Sequence, residues 1–203
     1  MPHDTARLYE KLTELRHRDT QFQLFGASTH RYLLNPCLPE DNLREVEAQY
    51  GITLPEDYRR FLLFMGNGGA GPGYGMYPLD YCLKHSLKDV HLLQASFPHM
   101  ERWNMAPEDL GLDPDNDYVA FDKTYFNDAY AQGALRIGTE GCGYYFLLII
   151  AGSERGHMWF DGRASDGGIH PLSAPHHPNE RLSFFGWYEL WLDESLRAYV
   201  HDD

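Results

Sequence analysis

Leu54-Pro55-Glu56-Asp57-Tyr58-Arg59-Arg60-Phe61-Leu62, closed by Gly66-Asn67-Gly68-Gly69, decides how the rest of the chain is read. Proline suits the first turn of a helix, where its missing N–H has no partner to lose. Glu56 and Asp57 then face the positive end of the helix dipole. Tyr58, Phe61, Leu62 and Met65 recur at helical spacing and predict one buried stripe, which Gly66 ends. From Gly66 to Gly75 the chain is glycine-rich. It reads as a loop needing positive φ or close backbone approach.

That loop contains Gly66-Asn67-Gly68-Gly69-Ala70-Gly71, which fits G-x-G-x-x-G. A dinucleotide fingerprint needs a strand before it and a helix after it. Here a helix precedes it, Pro72 follows, and no G-K-[ST] is present. The glycines are therefore read as structural, with no nucleotide and no other cofactor.

Toward the N-terminus, Asp4 to Arg18 reads as a helix with Leu8, Leu12 and Leu15 on one face. Gln21 to Asn35 is ambiguous, with room for a short strand. Pro39 to Tyr50 reads as a helix burying Leu43, Val46 and Tyr50, with Gly51 just past its end. Toward the C-terminus, Met76 to Leu79 reads as a short strand and Asp89 to Phe97 as a helix. Glu108 to Asp117 is an acidic loop. Tyr118 to Gln132 has helical spacing and Gly133 closes it. The period then changes. Ala134 to Ile137, Gly143 to Ala151 and His157 to Asp161 read as three strands joined by glycine turns. The central one is apolar throughout, as befits a strand covered on both faces. Arg163 to Asn179 reads as a Pro/His/Gly loop. Ser183 caps a final helix, Phe184 to Val200, with Phe184, Trp187, Leu190 and Trp191 facing inward. Helices on either side of a strand cluster predict an α+β domain.

The 203 residues suit one large domain. Aromatic residues make up 14%, enough to fill a core and leave rings for a binding face. The net charge of −13 repels phosphate, which argues against nucleic acid, and it repels anionic membranes. The same field attracts a basic protein and speeds its encounter, although charge also serves plain solubility. Cys37, Cys82 and Cys142 are far apart and odd in number, as in a reducing compartment. Met1-Pro2-His3-Asp4 opens no signal-peptide apolar region, and the longest apolar run, Tyr144 to Ala151, is too short to span a bilayer. These features together predict a cytoplasmic protein.

Other motifs have plain alternatives. Asp113-x-Asp115-x-Asp117 resembles the start of a calcium loop, but the sixth position is Tyr118 and the twelfth Thr124. A solvated acidic loop, or a docking surface, fits better. His170, His176 and His177 near Asp161 and Asp166 lack the spacing of known zinc motifs, so no metal is expected. Cys142 between two glycines has no cysteine-hydrolase signature around it, and a small side chain at a tight strand entry explains it as well. Trp187 and Trp191, one turn apart, suit a core. Trp103, in Glu101-Arg102-Trp103-Asn104, suits either a core or a binding hot spot.

A second stretch joins the first: Ile137-Gly138, then Gly141-Cys142-Gly143, an apolar strand, and Gly156-His157-Met158-Trp159-Phe160-Asp161. In order and separation the two resemble the SUKH superfamily over roughly Pro39 to Asp161, and more loosely in the last helix. That superfamily includes a fungal cell-wall synthesis regulator and immunity proteins of bacterial polymorphic toxin systems. The matching positions are Leu54, Pro55, Tyr58, Phe61, Leu62, Asn67, Gly68, Gly69, Gly141, Gly143 and Trp159. The resemblance implies an α+β fold, a mixed or mostly antiparallel sheet with helices packed around it; the chain is accordingly divided into such a domain at 36–203 and a helical extension at 1–35, which, like the 163–179 loop, matches no part of the family. It implies a non-enzymatic role: binding a protein, often to neutralise a toxin. A basic nuclease toxin suits the charge. A regulatory scaffold without a toxin stays open, as does a small hydrolase using Cys142 or a His/Asp metal site. The expected docking residues are Asp113, Asp115, Asp117, Glu154, Asp161 and Asp166, with Tyr74, Tyr77 and Trp103 as aromatic anchors.

Overall fold

A computed structural model describes residues 3–86, 89–175 and 177–198. The helices are α1 (His3–Arg18), α2 (Ala27–His30), α3 (Glu40–Tyr50), α4 (Glu56–Phe64), α5 (Leu79–His85), α6 (His91–Gln94), α7 (Tyr118–Tyr125) and α8 (Phe184–Ala198). Strands β1 (Ala134–Gly141), β2 (Tyr144–Ile149), β3 (Met158–Asp161) and β4 (Ile169–Pro171) form one sheet in that order, antiparallel throughout. A two-stranded hairpin, β5 (Ser173–Ala174) with β6 (His177–Arg181), stands beside it. The architecture is α+β.

The stripe on α4 anchors the core. Tyr58, Phe61, Leu62 and Met65 are buried. They meet α8 through edge-on rings, Phe61 with Phe184 at 5.3 Å, Phe61 with Tyr188 at 5.2 Å and Tyr58 with Phe184 at 5.0 Å. The helix α1 buries Leu8, Leu12 and Leu15 in the same core. Its Lys11 Nζ bonds Glu189 at 2.7 Å and Asp193 at 2.6 Å on α8. In β2, Phe146 to Ile149 are all buried, as a strand covered on both faces requires.

The glycine loop extends the sheet. Isolated bridges run Leu34–Gly69, Gly69–Met76 and Met76–Gly138, so two crossings of backbone cover the outer edge of β1. An open edge of this kind otherwise invites pairing with another chain. The close approach demands glycine at Gly69: φ is 105° and an added Cβ would lie 2.4 Å from the Leu33 carbonyl oxygen.

Several expectations are corrected. Met76 to Leu79 holds only the Met76 bridges, because α5 starts at Leu79 behind Pro78. Gln21 to Asn35 contains α2 and the single Leu34 bridge. The helix expected over Asp89 to Phe97 shrinks to α6: Pro98 biases Phe97 away from the helical region, and Phe97 N–H donates to the Ala151 carbonyl. The helix expected to Gln132 ends at Tyr125. Asn127 Oδ1 accepts the Ala129 N–H and starts a separate short turn at 128–131. The expected loop 163–179 supplies β4, β5 and part of β6, because the edge of β3 offers pairing that local composition does not reveal. On α8, Tyr188 and Leu192 take the inner positions, and Leu190 and Trp191 are half-buried. Val200 lies outside the described residues.

Phe61→Ala should lower stability by about 3–5 kcal/mol, the usual range for emptying a packed aromatic site. A chemical-denaturation midpoint equal to wild type would contradict this core assignment.

Candidate functional site

The site is built on one buried ion pair. Asp161 ends β3, and Arg163 follows in a short 3-10 turn at 163–165. Arg163 is 2% exposed and Asp161 3%. Arg163 Nε donates to Asp161 Oδ1 at 2.8 Å and Nη2 to Oδ2 at 2.7 Å. Nη1 donates to the carbonyls of Tyr125 at 2.9 Å and Asn127 at 3.3 Å, and the guanidinium lies over Phe126. A cation among the last carbonyls of a helix satisfies groups that the helix leaves unpaired. The end of β3 thereby grips the end of α7.

Stacked rings hold the inner face of α7. Phe121 stacks on Tyr125 at 5.1 Å, Tyr125 on Trp103 at 5.6 Å, and Trp103 on Tyr130 at 4.2 Å and His99 at 5.2 Å. Tyr125 donates its hydroxyl to Asn104, whose amide donates to the Asp166 carbonyl. Trp103 and Ile169 exchange backbone hydrogen bonds at 2.8 Å, which joins the 102–104 segment to β4.

The outer side of α7 is open and mixed: Asp122 and Lys123 are exposed on it beside apolar residues. Tyr118 is 63% exposed, Val119 64% and Phe126 47%. A short turn at 107–110 packs against α7 and adds an exposed Leu110. Between them run Glu108, Asp109, Asp113, Asp115 and Asp117. Asp113 accepts from Asp115 N–H at 2.9 Å and from Asn116 Nδ2 at 2.7 Å; these bonds, led by the Asn116 side chain, hold its carboxyl below the ordinary value. Asp117 accepts the Asp113 N–H at 3.0 Å. None of the five acids forms an ion pair among the described residues, whereas Glu40, Glu47, Glu189 and Asp193 all do.

The expected site residues fall in separate places. Asp113 and Asp115 are exposed and Asp117 half-buried, together on the segment before α7. Asp166, exposed at φ 58°, and the half-buried Trp103 are joined through the 102–104 segment. Tyr74 is exposed beside Phe25 at the glycine loop, and Tyr77 packs on Tyr81 at 4.6 Å. Glu154 is turned to internal partners: Trp159 Nε1 at 3.3 Å, His157 Nδ1 at 3.3 Å and Arg181 Nε at 3.6 Å. Asp161 lies in the interior, so its carboxylate serves the fold and is not presented to a partner.

The family-type positions are structural as well. Leu54, Pro55, Tyr58, Phe61, Leu62 and Trp159 are buried. Asn67 Oδ1 accepts the Leu79 N–H at 2.8 Å, and Gly68 and Gly69 have positive φ. Gly141 and Gly143 flank Cys142 at the exposed tip of the β1–β2 hairpin, all three at positive φ. His170 packs on Phe160, and burial lowers its pKa; His177 is exposed, and His176 lies outside the described residues. Among the described residues, no group of three or more His, Cys, Asp and Glu side chains is placed to hold a metal ion.

The sequence reading missed Tyr118, Val119 and Phe126. A signal existed: Tyr118-Val119-Ala120-Phe121 is four apolar residues in succession, and successive residues on a helix point in different directions. Some of them had to face out.

The arrangement defines an α+β domain whose signature residues build the fold and whose loops and α7 form its polar and aromatic surface. The chain belongs to the SMI1 / KNR4 family (SUKH-1), whose sequence model matches residues 37–175. Membership points to a protein partner. No curated protein and no solved structure matched the chain. Among the described residues no helix is long and apolar enough to cross a membrane.

His99 gives the site a pH dependence. Burial first, and the nearby Arg163 charge, pull its pKa below the ordinary value. The unfolded chain therefore takes up a proton at about pH 6.5 while the folded site resists it. Stability should be full above that pH and fall as pH drops toward the lowered folded value. His99→Phe should flatten that fall in denaturation experiments between pH 7 and 5; an unchanged slope would contradict the assignment.

Proposed function

We propose that this chain is an immunity-type binding protein of the cytoplasm, which neutralises a basic toxin domain by covering it. The supporting observation is the surface at 108–126. Five acids that form no ion pair among the described residues adjoin exposed Leu110, Tyr118, Val119 and Phe126. Aromatic anchors ringed by charge are what protein interfaces use for affinity and orientation. The acids steer a basic partner from a distance, within a chain of net charge −13. The apolar side chains then hold it. Neutralisation by occlusion needs no bond made or broken by this chain, so no catalytic group is assigned.

The test is association kinetics with the cognate partner at several salt concentrations. Replacing Asp113, Asp115 and Asp117 together with Asn should slow association several-fold at low salt and flatten its salt dependence. Asn keeps the turn's acceptor oxygens, so the segment should hold its shape. Dissociation should change less, because desolvated contacts set it. Association as fast as wild type at low salt would contradict the proposal.

A further inference from the structure

A concave surface elsewhere uses no residue of 108–126. It is a cleft of about 440 Å³ between the outer end of α8, residues 24–32, the Pro72-Gly73 turn and the β1–β2 hairpin. Its walls include Trp187, Trp191, Phe146, Leu172 and Leu190. Phe25, 63% exposed, carries the apolar surface onto the rim, where it packs on Tyr74 at 5.2 Å.

The polar groups of the cleft have one sign. Glu140 and Glu194 line it, and among the described residues no Lys or Arg does. Neither acid forms an ion pair among the described residues. Glu140 reaches solvent, yet neighbouring groups withdraw enough water to push its carboxyl up. His30 also lines the cleft. Its Nδ1 accepts the Tyr32 N–H at 3.0 Å, which leaves the ring proton on Nε2. That Nε2 is buried and has no hydrogen-bond partner among the described residues. Burial lowers the His30 pKa to about 4, so the ring stays neutral at physiological pH.

We propose that this cleft receives a basic and apolar segment of the partner protein, an apolar side chain against Trp191 and Phe146 with a lysine or arginine beside it on Glu140 and Glu194. The inference rests on the protein-binding reading above. Two unpaired carboxylates with aromatic walls favour an ammonium or guanidinium, which gains both a charged hydrogen bond and a ring face. They disfavour any anion. The exposed Phe25 and Tyr74 at the rim gain from an occupant larger than the cleft, which argues for a stretch of chain.

The probes are acetyl-Phe-Lys-amide and acetyl-Phe-Glu-amide, equal in apolar content and opposite in charge. Titration is followed by NMR at the indole N–H resonances of Trp187 and Trp191. The lysine dipeptide should shift Trp191 saturably and bind at least about five-fold tighter than the glutamate one. Glu140→Gln with Glu194→Gln should bring the two affinities together without changing the thermal midpoint, since neither acid forms an ion pair among the described residues. With the partner in hand, the same double variant should raise Kd at least about five-fold. Equal affinities, no binding of either probe, an unchanged partner Kd, or a cleft occupied by a second copy of the chain would each overturn the proposal. The Asn triple variant should leave the dipeptide titration unchanged. Failure of the acidic segment to steer a partner is therefore distinguishable from failure of the cleft.

Discussion

The Asp161–Arg163 pair is the constraint on which the outer surface depends. Two charges in the interior are tolerated only when each finds several good bonds. Here Asp161 takes two bonds from one guanidinium, and that guanidinium also satisfies the carbonyls of Tyr125 and Asn127. A sheet end and a helix end are fixed by one side chain. The helix α7 is two turns long, too short to be stable by propensity alone. Its shape therefore comes from this clamp and from the rings stacked under it, and its outer apolar residues stay exposed as a consequence.

The fold was legible where periodicity was strong. The stripes of α1, α4 and the buried strand β2 follow from spacing alone, and Pro55 and Gly66 mark the limits of α4. It was hidden where tertiary pairing decides. Strand β4 is three residues long, contains a proline and pairs with β3 and with the Trp103 segment. Nothing within 163–179 announces it. The same holds for the glycine loop, whose positive φ was readable but whose role as a cover for β1 was not, because Leu34, Gly69, Met76 and Gly138 are brought together only by folding.

The acidic part of the candidate site is legible in the sequence, and the burial of its other acids is not. Asp113, Asp115 and Asp117 stand out as acids with no basic neighbour. Asp161 looked equivalent in sequence. Its partner two positions on, Arg163, is what draws it inside, and an acid followed closely by an arginine at a strand end is ambiguous between surface and core. Glu154 pairs with Arg181, which is remote in sequence, so its inward contacts are not legible locally either. Family membership explains the division. The signature residues from Leu54 to Trp159 build the scaffold, and the segment from Glu108 to Phe126 contains none of them.

The most direct measurement is hydrogen exchange on the free chain carrying Asp161→Leu with Arg163→Met. Replacing both ions with apolar side chains keeps the interior filled, and Arg136, which lies 3.9 Å from Asp161, keeps Asp128 at 3.8 Å as a partner, while the carbonyls of Tyr125 and Asn127 lose their donor. The account predicts that amides of 118–131 lose protection while those of β2, 144–149, keep theirs. Unchanged protection at 118–131, or collapse of both regions together, would contradict it.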